Sequence, residues 1–182
     1  MKRTTIGIVL AAAALLQGVA IAQGTATLII QVKTGGEPAS NAIVRVLSSN
    51  GDEIAKGRSG EAIRVPIGTY TLAVKNNDLI DHPEKRRPNV VLRGGAPIQH
   101  TSQWAVARVK LITRVGGRAI KTKVVLHHQG GGNAICEFQS GTFIRVSPGR
   151  YEANVHRGSS VTKVSGLQFI DGAEQQIPVN IQ

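Results

Sequence analysis

A repeat constrains this chain more than any other feature. Ser59-Gly60-Glu61-Ala62-Ile63-Arg64-Val65-Pro66-Ile67-Gly68-Thr69-Tyr70 recurs 81 residues later as Ser140-Gly141-Thr142-Phe143-Ile144-Arg145-Val146-Ser147-Pro148-Gly149-Arg150-Tyr151. Aligned without a gap from Ala26 with Ala107 to Lys75 with His156, 14 of 50 positions are identical. Gly35-Gly36 falls on Gly116-Gly117, Val44 on Val125, Gly51 on Gly132, Ile54 on Ile135 and Val74 on Val155. Beyond residue 75 the register slips by four, so that Gly95-Ala96 meets Gly172-Ala173. The extra residues of the first copy are expected in the polar stretch Asp81 to Asn89. Glycines recur where turns are expected, and apolar residues recur between them, as a duplicated fold requires.

Each copy reads as a small all-β sandwich. In copy one, strands are expected at Thr27–Lys33, Ala42–Leu47, around Ile54, at Glu61–Val65, Thr69–Lys75 and Asn89–Arg93, and after Gly94-Gly95. In copy two they are expected at Val106–Arg114, Lys123–His127, Ala134–Phe138, Phe143–Val146, Arg150–His156, Val161–Phe169 and Gln175–Ile181. Tyr70, Leu72 and Val74 alternate with Thr71, Ala73 and Lys75, the period of a half-buried strand. Asn50-Gly51 signals a type I′ hairpin, which needs positive φ at both central residues. Only Asp78 to Arg86 has the composition for a helical turn. The aromatic content of 3% leaves the cores to Val, Ile and Leu.

Residues 1–22 have the pattern of a secretory signal peptide. Lys2 and Arg3 form a positive start, Ile6 to Leu16 an apolar stretch, and Ala20-Ile21-Ala22 a small-residue cleavage site before Gln23. The apolar stretch falls short of the ~20 residues that span a bilayer. No later stretch reads as a transmembrane helix. The division expected is therefore 1–22 signal peptide, 23–104 first repeat and 105–182 second repeat, in a periplasmic or extracellular protein.

The order of strand, Gly-Gly-x-Pro turn, strand, Asn-Gly turn and Ile-x-Val-x-x-Gly-x-Tyr-x-x-x-Val resembles carboxypeptidase-regulatory-like and PEGA-like modules of bacterial exported proteins. Gly36, Pro38, Val44, Gly51, Ile63, Val65, Gly68, Tyr70 and Val74 carry the match. Their counterparts in copy two are Gly117, Val125, Gly132, Ile144, Val146, Gly149, Tyr151 and Val155, with Ala119 where the proline stood. The resemblance implies two tandem transthyretin-like or immunoglobulin-like β-sandwiches and an accessory role without shared catalytic residues: a spacer, a binding surface or part of an envelope assembly.

Enzymatic motifs are absent from the sequence. There is no Gly-x-Ser-x-Gly elbow, phosphate loop or HExxH. The single cysteine, Cys136, excludes an internal disulfide and a thiolate zinc cage. Its counterpart in copy one is Ala55, which argues for a small buried side chain over a nucleophile. A thiol activated by His127 or His128 is the competing enzymatic reading. Those two histidines are adjacent on a strand and point to opposite faces. His156 is expected to approach His127 across the sheet, without a third metal ligand. Neither a cofactor nor a metal is expected.

Charge gives the functional slope. Lys+Arg 22 against Asp+Glu 11 gives +11. Without residues 1–22 it is +9, from 10 basic and 7 acidic residues in copy one and 10 basic and 4 acidic in copy two. Lys85, Arg86 and Arg87 form one cluster, expected inside the inserted loop. Arg108, Lys110, Arg114, Arg118, Lys121 and Lys123 crowd the start of copy two, with Arg108 and Lys110 on one strand face opposite Val109 and Leu111. The sequence therefore points to a non-catalytic structural or binding module that engages an envelope protein. The alternative is an anionic polysaccharide or other polymer held by Lys85, Arg86, Arg87, Arg108, Lys110, Arg118, Lys121 and Lys123. Nucleic acid is disfavoured, because stacking platforms are scarce. Sequence leaves the oligomeric state open.

Overall fold

The computed structural model describes residues 24–182. The expected signal peptide lies outside them. The described chain is all-β and contains no helix, so Asp78 to Arg86 forms turns and strand instead of a helical turn.

The first half contains β1 (Thr25–Thr34), β2 (Glu37–Pro38), β3 (Ile43–Leu47), β4 (Glu53–Arg58), β5 (Ala62–Pro66), β6 (Gly68–Lys75), β7 (Glu84–Leu92) and β8 (Ile98–Trp104). The second contains β9 (Ala107–Val115), β10 (Arg118–Ala119), β11 (Lys123–His128), β12 (Cys136–Gln139), β13 (Phe143–Val146), β14 (Gly149–Arg157), β15 (Ser160–Phe169) and β16 (Glu174–Asn180). In the first half, β1 pairs antiparallel with β2 and β5 and parallel with β8, while β4-β3-β6-β7 forms a second sheet. The second half repeats this with β10, β13 and β16 around β9, and with β12-β11-β14-β15.

Alternation along the strands builds each core. In β1, Ala26, Leu28, Ile30 and Val32 are buried and meet Val44, Val46, Leu72 and Val74 of the other sheet. In the second half, Ala107, Val109 and Leu111 meet Val124, Leu126, Ala153 and Val155. Full burial of one such Leu, Ile or Val side chain contributes about 1.5–3 kcal/mol. Both tyrosines close the β-turn before their strand in the same way. The Tyr70 hydroxyl donates to the Pro66 carbonyl at 3.0 Å and that of Tyr151 to the Ser147 carbonyl at 2.7 Å.

Three details differ from the sequence reading. First, the repeat is not gapless. Val44 opposes Val74, whereas Val155, the counterpart of Val74, opposes Val124 and not Val125. The second half is one residue shorter between β10 and β11 and one longer in the β11–β12 hairpin, so the offset returns to 81 by Cys136. A one-residue slip moves a strand's side chains to the opposite face, which is why Val124 and Leu126 face the core. Second, Asn50-Gly51 does not form a type I′ turn. Only Gly51 has positive φ, at 91°. Ser48 holds a longer loop, its Oγ accepting from the backbone N–H groups of Asn50 and Asp52 at 3.2 and 3.1 Å. Third, the four extra residues lie between Lys75 and Glu84, and Lys85-Arg86-Arg87 belongs to strand β7 instead of the inserted loop. Both β7 and β15 carry a bulge against their neighbour. Asn89 (φ 58°) occupies in β7 the position that Gly166 (φ 74°) occupies in β15.

The insertion forms a bracket between the halves. Ile80 donates its N–H to the Arg145 carbonyl at 2.8 Å and packs against the second core. The Asp81 carboxylate accepts from the Ser147 N–H at 3.2 Å. Leu79 at the root of the bracket is fully buried. Returning the contact, Arg145 donates to the Thr34 carbonyl at 3.3 Å. Thr34 is in turn held by the buried Asn76, whose Nδ2 donates to its Oγ1 at 2.7 Å.

Candidate anion-binding surfaces

The eight cations singled out in the sequence occupy several separate places. Two of them face a seam. Strands β7 and β8 are edge strands of the two sheets of the first half and border the same side of its core. Arg87 opposes Leu72 and Lys85 opposes Val74, so both side chains start on the core-facing side. They border a cleft of about 210 Å3 with His100 and Ser102 of β8, over a floor of Ile30, Leu72 and Val74. The floor is buried, with Ile30 1% and Leu72 5% exposed. Arg87 Nη1 lies 3.3 Å from His100 Nε2. Lys85 Nζ sits 4.3 Å from the centroid of the Trp104 ring and donates to the Gln103 carbonyl at 2.8 Å. Neither cation has a carboxylate partner among the described residues.

Arg86 points to the outer face instead. There it bonds Glu84 at 2.7 Å, and Arg45 pairs with the same carboxylate. The hydrogen bond from Arg86, followed by that from Arg45, holds the Glu84 carboxyl below its ordinary range. Two guanidiniums thus share one carboxylate, which offsets part of their charge.

Arg108 and Lys110 share the outer face of the sheet around β9, as their spacing predicts. Phe143 of β13 stands opposite Lys110. The Arg108 guanidinium lies 4.5 Å and the Lys110 ammonium 5.3 Å from the Phe143 ring centroid. Arg145 opposes Arg108 on the same face, and Arg108 is paired with Glu174. This face runs into an open cleft of about 460 Å3 between the halves, lined by Thr34, Gly35 and Glu37 on one side and Arg108, Arg145 and Glu174 on the other.

Arg118 and Lys121 lie exposed at and just beyond β10. Lys123 is on the other sheet, bound to Glu137 at 2.7 Å. They do not join Arg108 and Lys110. The residues that sequence reasoning missed are His100, Ser102 and Trp104 at the seam, and Phe143 and Arg145 on the β9 face. Arg145 was visible in the repeat but is conspicuous only once the halves are docked.

Cys136 is half-buried against the second core. Burial, helped by the charge of Asp81, pushes its thiol up to about 11. That is the opposite of what an activated nucleophile needs. His127 is occupied by the Gly132 carbonyl at 3.1 Å and by Asn154 at 3.2 Å. His128 stacks on Tyr151 at 5.3 Å, so the two adjacent histidines do take opposite faces. His156 does not approach His127. It opposes Lys123, whereas His127 opposes Glu152 four positions along β14, about 13 Å away at the strand rise. Among the described residues no three His, Cys, Asp or Glu side chains converge as metal ligands. Nor is any helix there long and apolar enough to cross a membrane.

No family model matches the chain, and no curated protein does. Three solved bacterial structures are similar in part. The Bacillus anthracis TIE protein is 14% identical with a TM-score of 0.38, over 87% of this chain and 34% of its own. This chain thus spans about a third of that protein. The tip fimbrial protein Mfa3 from Porphyromonas gingivalis is 9% identical with a TM-score of 0.39, over 78% of this chain and 81% of its own. A proposed cell adhesion protein from Bacteroides ovatus is 11% identical with a TM-score of 0.39, over 87% and 92% of the two chains.

Proposed function

We propose that this protein is an exported, non-catalytic module of the bacterial cell envelope, built as two small β-sandwich domains (23–104 and 105–182) that hold a binding partner. The observation that carries this reading is the placement of its convergent side chains. They stand on an outer sheet face and along an open cleft between the halves, where a large partner can reach them. A partner protein is the first reading. A photo-crosslinking side chain placed at Glu37, on the cleft, should capture one defined envelope protein that the same group at exposed Gln129 does not. Equal capture at both positions would remove the cleft from the interface.

A second reading, an anionic polymer or glycan, is favoured by one specific observation. Arg108 and Lys110 are both arranged over Phe143. Each such contact contributes about 0.5–1 kcal/mol at an exposed site, and Lys110, unlike Arg108, has no carboxylate partner among the described residues. The protein should be retained on a sulfated-polysaccharide resin and elute as salt rises, because phosphate- or sulfate-type binding releases counterions. Joint substitution Arg108→Ala and Lys110→Ala should lower the eluting salt concentration. Retention unchanged by that pair would sink this reading.

A further inference from the structure

The seam of the first half differs from its counterpart at every rim position. Registers fix the equivalence. Val155 opposes Thr162 where Val74 opposes Lys85, and Ala153 opposes Val164 where Leu72 opposes Arg87. On the other edge, Leu111 opposes Ile177 where Ile30 opposes His100, and Thr113 opposes Val179 where Val32 opposes Ser102. The same fold therefore closes the seam with Thr162, Val164, Ile177 and Val179 in one half. In the other half it lines the seam with Lys85, Arg87, His100 and Ser102.

Inward-pointing charge on an edge strand is one way proteins prevent edge-to-edge pairing. That explains Lys85 and Arg87 alone. It does not explain why the facing strand β8 supplies His100 and Ser102 at the same level, or why a cleft with an apolar floor opens beneath them. An apolar cleft with a few convergent polar groups is the usual form of a small-ligand site. The floor calls for hydrocarbon. The rim, with two cations that lack a carboxylate, calls for an anion, and the planar fork of Arg87 suits a carboxylate. At about 210 Å3 the cleft is smaller than sites for drug-sized ligands, roughly 300–1,000 Å3. It fits a short chain or the end of a longer one.

We propose that the β7–β8 seam binds an apolar monocarboxylate, with the carboxylate between Arg87 and Lys85 and the hydrocarbon on Ile30, Leu72 and Val74. The ligand is a free aliphatic acid or the carboxyl terminus of a peptide with an apolar last residue. This site is separate from the Phe143 face and does not depend on how that face is used.

The test is titration of the purified protein, followed by backbone amide resonances. Four probes are used: octanoate, octanol, and a short peptide ending in Val-Leu with a free or an amidated terminus. Octanoate or the free peptide should shift β7 and β8 resonances, and which of them does so identifies the source. Octanol and the amidated peptide should bind at least tenfold more weakly. Arg87→Leu, and separately Lys85→Gln, should weaken acid binding tenfold or more, while Phe143→Ala leaves it unchanged. Two variants are used so that loss of folding in one does not decide the matter. Absence of binding by both acids at millimolar concentration would overturn the proposal. So would octanol binding as well as octanoate, or affinity unchanged in both seam variants.

Discussion

The two halves share a topology and their seams differ. In the second half the space between the sheets is closed mainly by apolar groups. Tyr151, fully buried, stacks between His128 at 5.3 Å and Phe169 at 4.7 Å, and β15 and β16 close the side with Thr162, Val164, Ile177 and Val179. In the first half the corresponding tyrosine is only partly buried, Leu92 stands where Phe169 stands, and the side between β7 and β8 is polar. The shared pairing therefore does not require an apolar seam. Interior area that one copy uses for stability is left open in the other, and that is where a duplicated module can acquire a ligand.

The comparison can be broken at its strongest point. Tyr151→Ala should cost about 3–5 kcal/mol, as removal of a buried aromatic side chain does. Tyr70→Ala should cost less than half as much, and urea denaturation compares them. Equal losses would show that the two cores are filled alike. Next is the transplant between seams. Val164→Arg should destabilise by about 2 kcal/mol, because a charge enters a seam closed by apolar groups. The reverse pair Lys85→Thr and Arg87→Val should stabilise by about 1 kcal/mol through partly buried methyl groups. A smaller effect is expected at the bulges. Asn89→Gly should stabilise by about 0.5 kcal/mol and Gly166→Asn destabilise by a similar amount, since positive φ favours glycine.

The last difference is alkaline. Burial raises the thiol of Cys136 from 9.0 to about 11. The folded state thus holds its proton more tightly than the unfolded state. The resulting stabilisation is complete below pH 9 and is lost as pH rises toward 11. Burial also raises the Tyr151 hydroxyl, so the second half should be the alkali-sensitive one. Stability of the parent should fall more steeply than that of Cys136→Ala between those pH values; parallel curves would contradict this.

Much of the fold was legible because two independent signals agreed: period-two alternation and glycines that recur at one offset. Strands β6, β13 and β15 lie within a residue or two of their expected bounds. The gapless repeat was misleading because a deletion before β11 is cancelled by an insertion after it. The identity of Val44 and Val125 arose from the Val124-Val125 pair, where either residue matches. Of the candidate site, the shared face of Arg108 and Lys110 follows from alternation alone. Phe143 has only one signal in the sequence, that in the repeat it falls on Ala62 and so marks a change. The seam could not be read, since Lys85-Arg86-Arg87-Pro88 has the composition of a loop. Its facing strand arrives in parallel from residues 98–104, and such long-range pairing has no local signature.

The bracket at residues 76–83 also gives the tandem a direction. The first half carries it and the second does not. At the equivalent place β14 turns into β15 through Gly158-Ser159 alone. Repeat arrays lengthen when each unit presents to the next the docking element that it received from the one before. Here that element is handed on once. A third unit placed beyond the second would meet a bare two-residue turn, with nothing like Ile80 to donate to its backbone or Asp81 to cap its loop.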